Sequence, residues 1–230
     1  TGGSATLVAR GGLVSNTELD AHGNPKTTGD AEKNSLILNT GANTLNAYGA
    51  EVRTKSGSAT ENTATLNAGT VNGSLYGASL SAAGATGSAT KNKVELQGGS
   101  VTGSVYGSHI ADGAATGSAT ASTVTVTGGS LAGDLYGGFA NGTGTTTGNT
   151  VNLGTETTAF TATSVGTIYG GNKAEATDNT LNVNSRNAGA ADVKNFENVN
   201  FDVAHNVSHG DTMLTLTNGA NTSIDWSKMQ

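Results

Sequence analysis

Histidines and carboxylates are the side chains of this chain that could do chemistry, and their spacing offers little of it. His205 and His209 are four residues apart, a spacing that brings two metal ligands together on a helix. The residues around them carry strand and turn signals instead. The chain has no cysteine, so it lacks a thiolate nucleophile or zinc ligand. We expect no metal site and no cofactor.

The acidic residues could serve an enzyme that cleaves glycans, because that chemistry uses two carboxylates gathered on one face. The available acids are spread along the chain: Asp112, Asp134, Asp178, Asp202 and Asp211. Asp134 occupies the same position of a repeat as Ser74 and Ser104, so its neighbours supply no second carboxylate. The sequence therefore predicts a protein that is not an enzyme, with a carbohydrate-active β-helix enzyme as the alternative.

All the tyrosines share one local pattern, in which a small or aliphatic residue precedes Tyr and Gly follows it. They are Tyr48, Tyr76, Tyr106, Tyr136 and Tyr169. Successive members are 28, 30, 30 and 33 residues apart, which indicates a stack of similar units. Each Tyr has the opposite phase to the buried residue before it, so the rings should stack on one another in an outward column. A structural role is the favoured interpretation, and a sugar-stacking or receptor-contact strip is the functional one.

A second column of the repeat consists mainly of asparagine. Its members are Asn34, Asn62, Asn92, Ser122, Asn149 and Asn179. Asparagines at equivalent corners of stacked units can form a ladder of amide hydrogen bonds, which replaces partners that the turning backbone has lost. We expect these residues to have a structural role.

Alternating apolar residues follow each member of the asparagine column, as in Val94 and Leu96 or Val124 and Val126. This period of two predicts a strand with one buried face. A second alternating run ends at each Tyr-Gly, and a polar stretch such as residues 57–60 closes the unit as a loop or weak strand. The sequence therefore predicts an all-β fold, a parallel β-helix or solenoid with about 30 residues per rung and six to seven rungs.

The repeat also divides the chain. Residues 1–12 match the end of a unit and are interpreted as a truncated first rung, as expected for a mature fragment. Residues 13–33 form an insertion loop, residues 34–183 the repeating rungs, and residues 184–230 further rungs or a closing segment with a bulkier core.

Interruptions of the repeat are the best candidates for binding, because solenoids gather insertions on one face. Residues 13–33 form the first insertion, and residues 154–164 form the second. From them we select Asp20, His22 and Phe160 as candidate partner contacts. Tolerated loops without a function are the alternative.

Charge and hydropathy exclude two classes of partner. The chain has 17 acidic and 11 basic residues and a net charge of −6, so it offers no cationic track for nucleic acid. No apolar run approaches the roughly 18 residues of a membrane helix.

The rung at residues 94–107, together with Asn195-Phe196-Glu197-Asn198 and Gly210-Asp211-Thr212-Met213 further on, resembles the passenger regions of Gram-negative type V autotransporters. The resemblance covers nearly the whole chain. It implies a right-handed β-helix that is exported to the cell surface or outside, with membrane contact only through an outer-membrane β-barrel that this sequence does not contain. It also implies a non-enzymatic adhesin or stalk. The expected partners are a host-cell or bacterial surface protein or glycan, with self-association as a further possibility.

Overall fold

The chain forms a parallel β-solenoid of about six turns with about 30 residues per turn, which confirms the predicted fold class. The structure, a computed structural model, describes residues 7–15, 29–163, 165–173, 176–203, 207–219 and 222. All strand pairs within these residues are parallel. We call one turn of the solenoid a rung.

Two large sheets form the sides of the solenoid. The seven-stranded sheet contains β3 (Ser35–Leu38), β6 (Thr63–Leu66), β10 (Lys93–Leu96), β14 (Thr123–Val126), β17 (Thr150–Leu153), β19 (Thr180–Val183) and β22 (Asn198–Phe201). The ten-stranded sheet contains β1 (Leu7–Val14), β4 (Asn43–Val52), β7 (Thr70–Val71), β8 (Leu75–Leu80), β11 (Ser100–Val101), β12 (Val105–Ile110), β15 (Ser130–Leu131), β16 (Leu135–Ala140), β18 (Thr167–Gly171) and β21 (Asp192–Lys194).

Two smaller sheets complete the walls. The polar stretch of the repeat forms β2 (Ala31–Glu32), β5 (Ala59–Thr60), β9 (Ala89–Thr90) and β13 (Ala119–Thr120). The last sheet pairs β20 (Ala188–Ala190) with β23 (Leu214–Leu216). Among the described residues, no helix is long and apolar enough to cross a bilayer.

Strand register stacks equivalent residues directly on one another. Val94 of β10 lies opposite Ala64 on one side and Val124 on the other, and all three are fully buried. Residues that alternate with the buried ones along each strand, such as Glu95, face outward. A chain with few aliphatic residues thus builds a continuous core, because each rung covers the apolar layer of its neighbours.

The glycine after each tyrosine is required by close packing between rungs. A Cβ on Gly77 would lie 2.4 Å from the carbonyl oxygen of Gly107, and a Cβ on Gly107 would lie 2.4 Å from that of Gly137. Only glycine permits this approach, which explains the second letter of the Tyr-Gly pattern.

A left-handed backbone turn precedes each member of the asparagine column. The residues at these corners have φ between 54° and 68° and are Lys33, Glu61, Lys91, Ala121, Gly148 and Asp178. Most carry a side chain, at a cost of about 1 kcal/mol each. Since their side chains share no chemical property, no pattern in the sequence indicates these turns.

The C-terminal part continues the two large sheets with shorter rungs. β21 pairs with β18 and β22 pairs with β19, and Asn200 lies opposite Asn182, only 18 residues earlier. Phe196 fills the core here. The expected bulkier core of residues 184–230 also included Ile224 and Trp226, which lie outside the described residues.

Candidate functional site

The tyrosine column, made of Tyr48, Tyr76, Tyr106, Tyr136 and Tyr169, runs along the outer face of the ten-stranded sheet. Parallel register sets each tyrosine opposite the next. Consecutive ring centroids are 4.7, 5.0, 5.1 and 4.6 Å apart, and the ring planes differ by 5° to 7°. The rings therefore form the coaxial stack that the repeat predicts, and each aromatic pair contributes about 0.5 to 1.5 kcal/mol.

Two further aromatic side chains pack against the middle of the column. The His109 ring centroid lies 4.7 Å from that of Tyr106, and the Phe139 ring meets Tyr136 edge to face at 5.3 Å. Burial lowers the pKa of His109 to about 4, so its imidazole is neutral at pH 7. Neither residue stands out in the sequence, although both lie three positions after a repeated tyrosine.

Cationic residues stand at both ends of the tyrosine column. The Arg10 guanidinium lies 5.7 Å from the centroid of Tyr48, within the range of a cation–π contact. Lys194 is the register partner of Tyr169. Both cations are paired with carboxylates, Arg10 with Glu51 and Lys194 with Asp192, so the column is an aromatic strip bounded by an ion pair at each end.

Burial keeps four hydroxyls of the column protonated at neutral pH, those of Tyr48, Tyr76, Tyr106 and Tyr136. Burial raises the pKa of Tyr76 to about 12 and also raises the pKa of Tyr48 and Tyr106. For Tyr136, burial and then the adjacent Asp134 carboxylate raise the pKa. These four positions thus present uncharged phenols.

Stacking determines which part of each ring a partner can reach. Tyr76, Tyr106 and Tyr136 each have a tyrosine on both faces, so no ring face is open there for a stacked sugar. A partner would instead meet ring edges, which carry partial positive charge, and hydroxyl groups. Contact with a partner at the column stays a prediction.

The asparagine column forms a hydrogen-bonded ladder inside the solenoid corner. The backbone N–H and the Nδ2 of Asn62 both donate to Oδ1 of Asn92, at 2.9 and 3.0 Å. The same pair of bonds joins Asn34 to Asn62 and Asn149 to Asn179. Each amide thus satisfies a backbone donor that the corner leaves without a strand partner.

Ser122 interrupts the ladder, and a second serine compensates. Nδ2 of Asn92 donates to the hydroxyl of Ser108 at 2.9 Å, and the Ser108 and Ser122 oxygens lie 2.6 Å apart. Ser122 N–H donates to Oδ1 of Asn149 at 3.1 Å. Two hydroxyls therefore bridge the gap left by one missing amide.

The first insertion is described only at its two ends, residues 13–15 and 29–33. Asp20 and His22, the candidate contacts that it carries, lie outside the described residues. His205 does so as well, whereas His209 is exposed. No group of three or more His, Cys, Asp or Glu side chains in the described ranges could hold a metal ion.

Phe160 of the second insertion is not a surface contact, so this prediction is wrong. Its side chain is only 6% exposed and belongs to the main core cluster, and its N–H donates to Oγ of Ser185 at 3.1 Å. Transfer of an aromatic ring out of water is favourable, and the insertion folds back far enough to bury the Phe160 ring. Phe160 anchors the loop.

The second insertion instead borders a polar groove on the outer face of the seven-stranded sheet. The groove is lined by Glu95, Gln97, Thr125, Thr127, Thr155 and Thr158. None of these residues was predicted from the sequence as part of a site. Register could have aligned Glu95 with Thr125 and Gln97 with Thr127, but only the folded loop adds Thr158.

Compared with known proteins, the chain matches no family model, no curated protein and no solved structure.

Proposed function

We propose that this chain is a rod-like segment of a bacterial cell-surface adhesin or of its stalk, of the kind found in type V autotransporter passengers. The observation that supports this proposal is the parallel solenoid of about six turns, in which outward tyrosines recur on five successive rungs. Such a surface offers many similar weak contact points along one line.

Binding would depend on avidity. A partner that meets one rung weakly meets the next at a high effective concentration, so affinity grows with the number of rungs engaged. The partner class is a protein or glycan on a host or bacterial surface, or a second copy of the chain. The site of action is the cell surface or the extracellular space.

Adhesion of coated beads tests the proposal. Beads that carry the chain should bind host or bacterial cells more strongly than beads coated with an unrelated soluble protein. A matched variant that lacks residues 16–28 separates the first insertion from the solenoid body, because unchanged adhesion would assign binding to the rungs. Equal adhesion of chain-coated and control beads would contradict the adhesin function.

The alternative, a carbohydrate-active enzyme, has a separate readout. Incubation with a panel of acidic polysaccharides, followed by size-exclusion chromatography of the glycans, should leave their chain length unchanged. Chain shortening would favour the enzyme.

A further inference from the structure

The polar groove beside the second insertion has the size of a small ligand. Its volume is about 180 Å³, below the range of roughly 300 to 1,000 Å³ that is usual for drug-sized molecules. Two successive rungs supply its floor through Glu95, Gln97, Thr125 and Thr127, and Thr155 and Thr158 of the insertion supply one wall. The tyrosine column lies on the other large sheet, so the groove is a separate site.

The charged and amide groups of the groove are held by one another. The Glu95 carboxylate pairs with the Lys93 ammonium and accepts a hydrogen bond from Nε2 of Gln97 at 3.1 Å. Lys93 balances the charge of Glu95, so the groove favours a neutral ligand over a cation. Planar carboxylate and amide groups suit pairs of neighbouring hydroxyls.

Several polar atoms of the groove remain available. Within the described part of the chain, no hydrogen bond uses the side-chain oxygen of Gln97 or the hydroxyls of Thr127 and Thr158. Each hydroxyl can donate one bond and accept others. The threonine methyl groups add small apolar surfaces between these polar atoms.

Hydrogen bonds fix the walls of the groove. Oγ1 of Thr125 accepts from Nδ2 of Asn152 at 3.1 Å, and Oγ1 of Thr155 accepts from the Thr158 N–H at 3.0 Å. Beyond the buried Phe160, the Thr161 N–H donates to the Thr127 carbonyl at 2.8 Å. The insertion is thus tied to the sheet, and a groove that is formed before binding loses little entropy when a ligand enters.

We propose that this groove binds a single pyranose unit of a glycan. Its volume suits one sugar ring, its lining alternates donors, acceptors and methyl groups, and its charge is balanced. The inference rests on the proposed adhesin function, for which it names the partner class and the contact residues.

Protein-observed NMR tests the groove directly. The intact chain is titrated with methyl β-glucoside, methyl β-galactoside, methyl α-mannoside and N-acetylglucosamine. At least one sugar should shift the amide signals of residues 95–97, 125–127 and 155–158. Thr127→Val removes a hydroxyl that makes no hydrogen bond among the described residues and keeps the side-chain shape, so it should weaken binding at least threefold. Thr180→Val, on the same sheet but outside the groove, should leave affinity unchanged.

A second variant guards against misfolding. Gln97 is exposed, so Gln97→Ala should preserve the amide spectrum of the tyrosine column and still weaken binding. The proposal is overturned if no sugar of the panel shifts the groove signals at millimolar concentration, or if both groove variants bind as the parent does.

Bead adhesion measured in parallel separates this proposal from the adhesin function. Adhesion without sugar-induced shifts overturns the groove and supports the adhesin. Shifts without adhesion support the groove as a sugar site and overturn the adhesin.

Discussion

The side-chain oxygens of Ser108 and Ser122 lie 2.6 Å apart in the solenoid interior, where they replace one amide side chain of the asparagine ladder. Ser108 lies in the chain between Asn92 and Ser122. Its register partner Ala78 lies between Asn62 and Asn92, where both neighbouring ladder residues are asparagine. A serine therefore replaces the alanine in β12, where the neighbouring ladder residue, Ser122, has a shorter side chain than asparagine. The two positions form a coupled pair in direct contact, and Asn92 donates to the Ser108 member of the pair.

We expect this coupling to be measurable in the free energy of unfolding. Ser108→Ala should cost about 1 to 3 kcal/mol, because it removes the acceptor of one Asn92 Nδ2–H and the hydrogen bond between the two buried hydroxyls, and leaves only the bonds of Asn92 to Ala59 and of Ser122 to Thr120. Ser122→Asn should cost about 1 to 3 kcal/mol by overpacking against Ser108. The double variant should lose less than the two costs combined, as urea unfolding would measure. Simple additivity would contradict the coupling.

The tyrosine column predicts a position-dependent loss of stability. Tyr106 stacks between two tyrosines, so Tyr106→Leu should cost about 1 to 3 kcal/mol from two lost pairs. Among the described residues, Tyr169 stacks on Tyr136 alone, and Tyr169→Leu should cost roughly half as much. Urea unfolding of both variants compares them, and equal losses would argue against stacking as the stabilising term.

Glu51 predicts how stability depends on acid. Burial opposes its charge, but hydrogen bonds and charges from Arg53 and Arg10 outweigh burial and lower the pKa of Glu51 below 4.5. The folded state therefore binds this proton less readily than the unfolded state. The resulting stability is present above pH 4.5 and is lost as the pH falls through the lowered pKa.

A pH series of urea unfolding curves, for the parent and Glu51→Gln, checks this expectation. The variant should lose less stability than the parent between pH 5 and 3. Glu61→Gln is the control, since Glu61 is exposed. Identical acid dependence of Glu51→Gln and the parent would rule out the role given to Glu51.

Thr146 offers a stabilising substitution. Its hydroxyl is fully buried and, among the described residues, has no hydrogen-bond partner. Thr146→Val removes this hydroxyl and keeps the side-chain shape, so it should raise the free energy of unfolding by about 1 kcal/mol. The exposed Thr145 provides the control Thr145→Val, which should change stability little. A lower melting temperature for Thr146→Val would show that the hydroxyl has a partner in solution.

Period and phase made the scaffold predictable from sequence. Tyr106 has the same surroundings as Tyr76 and Tyr136, so one spacing predicts every stacked contact. The same reasoning places Asn62 on Asn92 and buries Val94. Because every rung has similar neighbours, a local pattern of alternation also predicts the contacts between rungs.

Residues outside the repeat could not be placed in this way. Phe160 lies in an insertion, and its burial depends on how far the loop folds back, which spacing does not encode. The groove brings Glu95 together with Thr158 across 63 residues. Thr146 is an isolated substitution in an alanine column, and its cost appears only when the surrounding atoms are known.

Glu197 gives the asparagine ladder a chemical direction. The Asn179 N–H donates to Oε2 of Glu197 at 2.8 Å, but a carboxylate has no N–H to pass to another residue. The series of side-chain hydrogen bonds from amide to amide therefore ends at Glu197. In a designed array of such coils, an added asparagine-bearing coil would join on the Asn34 side, where an amide oxygen can accept it, and Glu197 would set the opposite boundary.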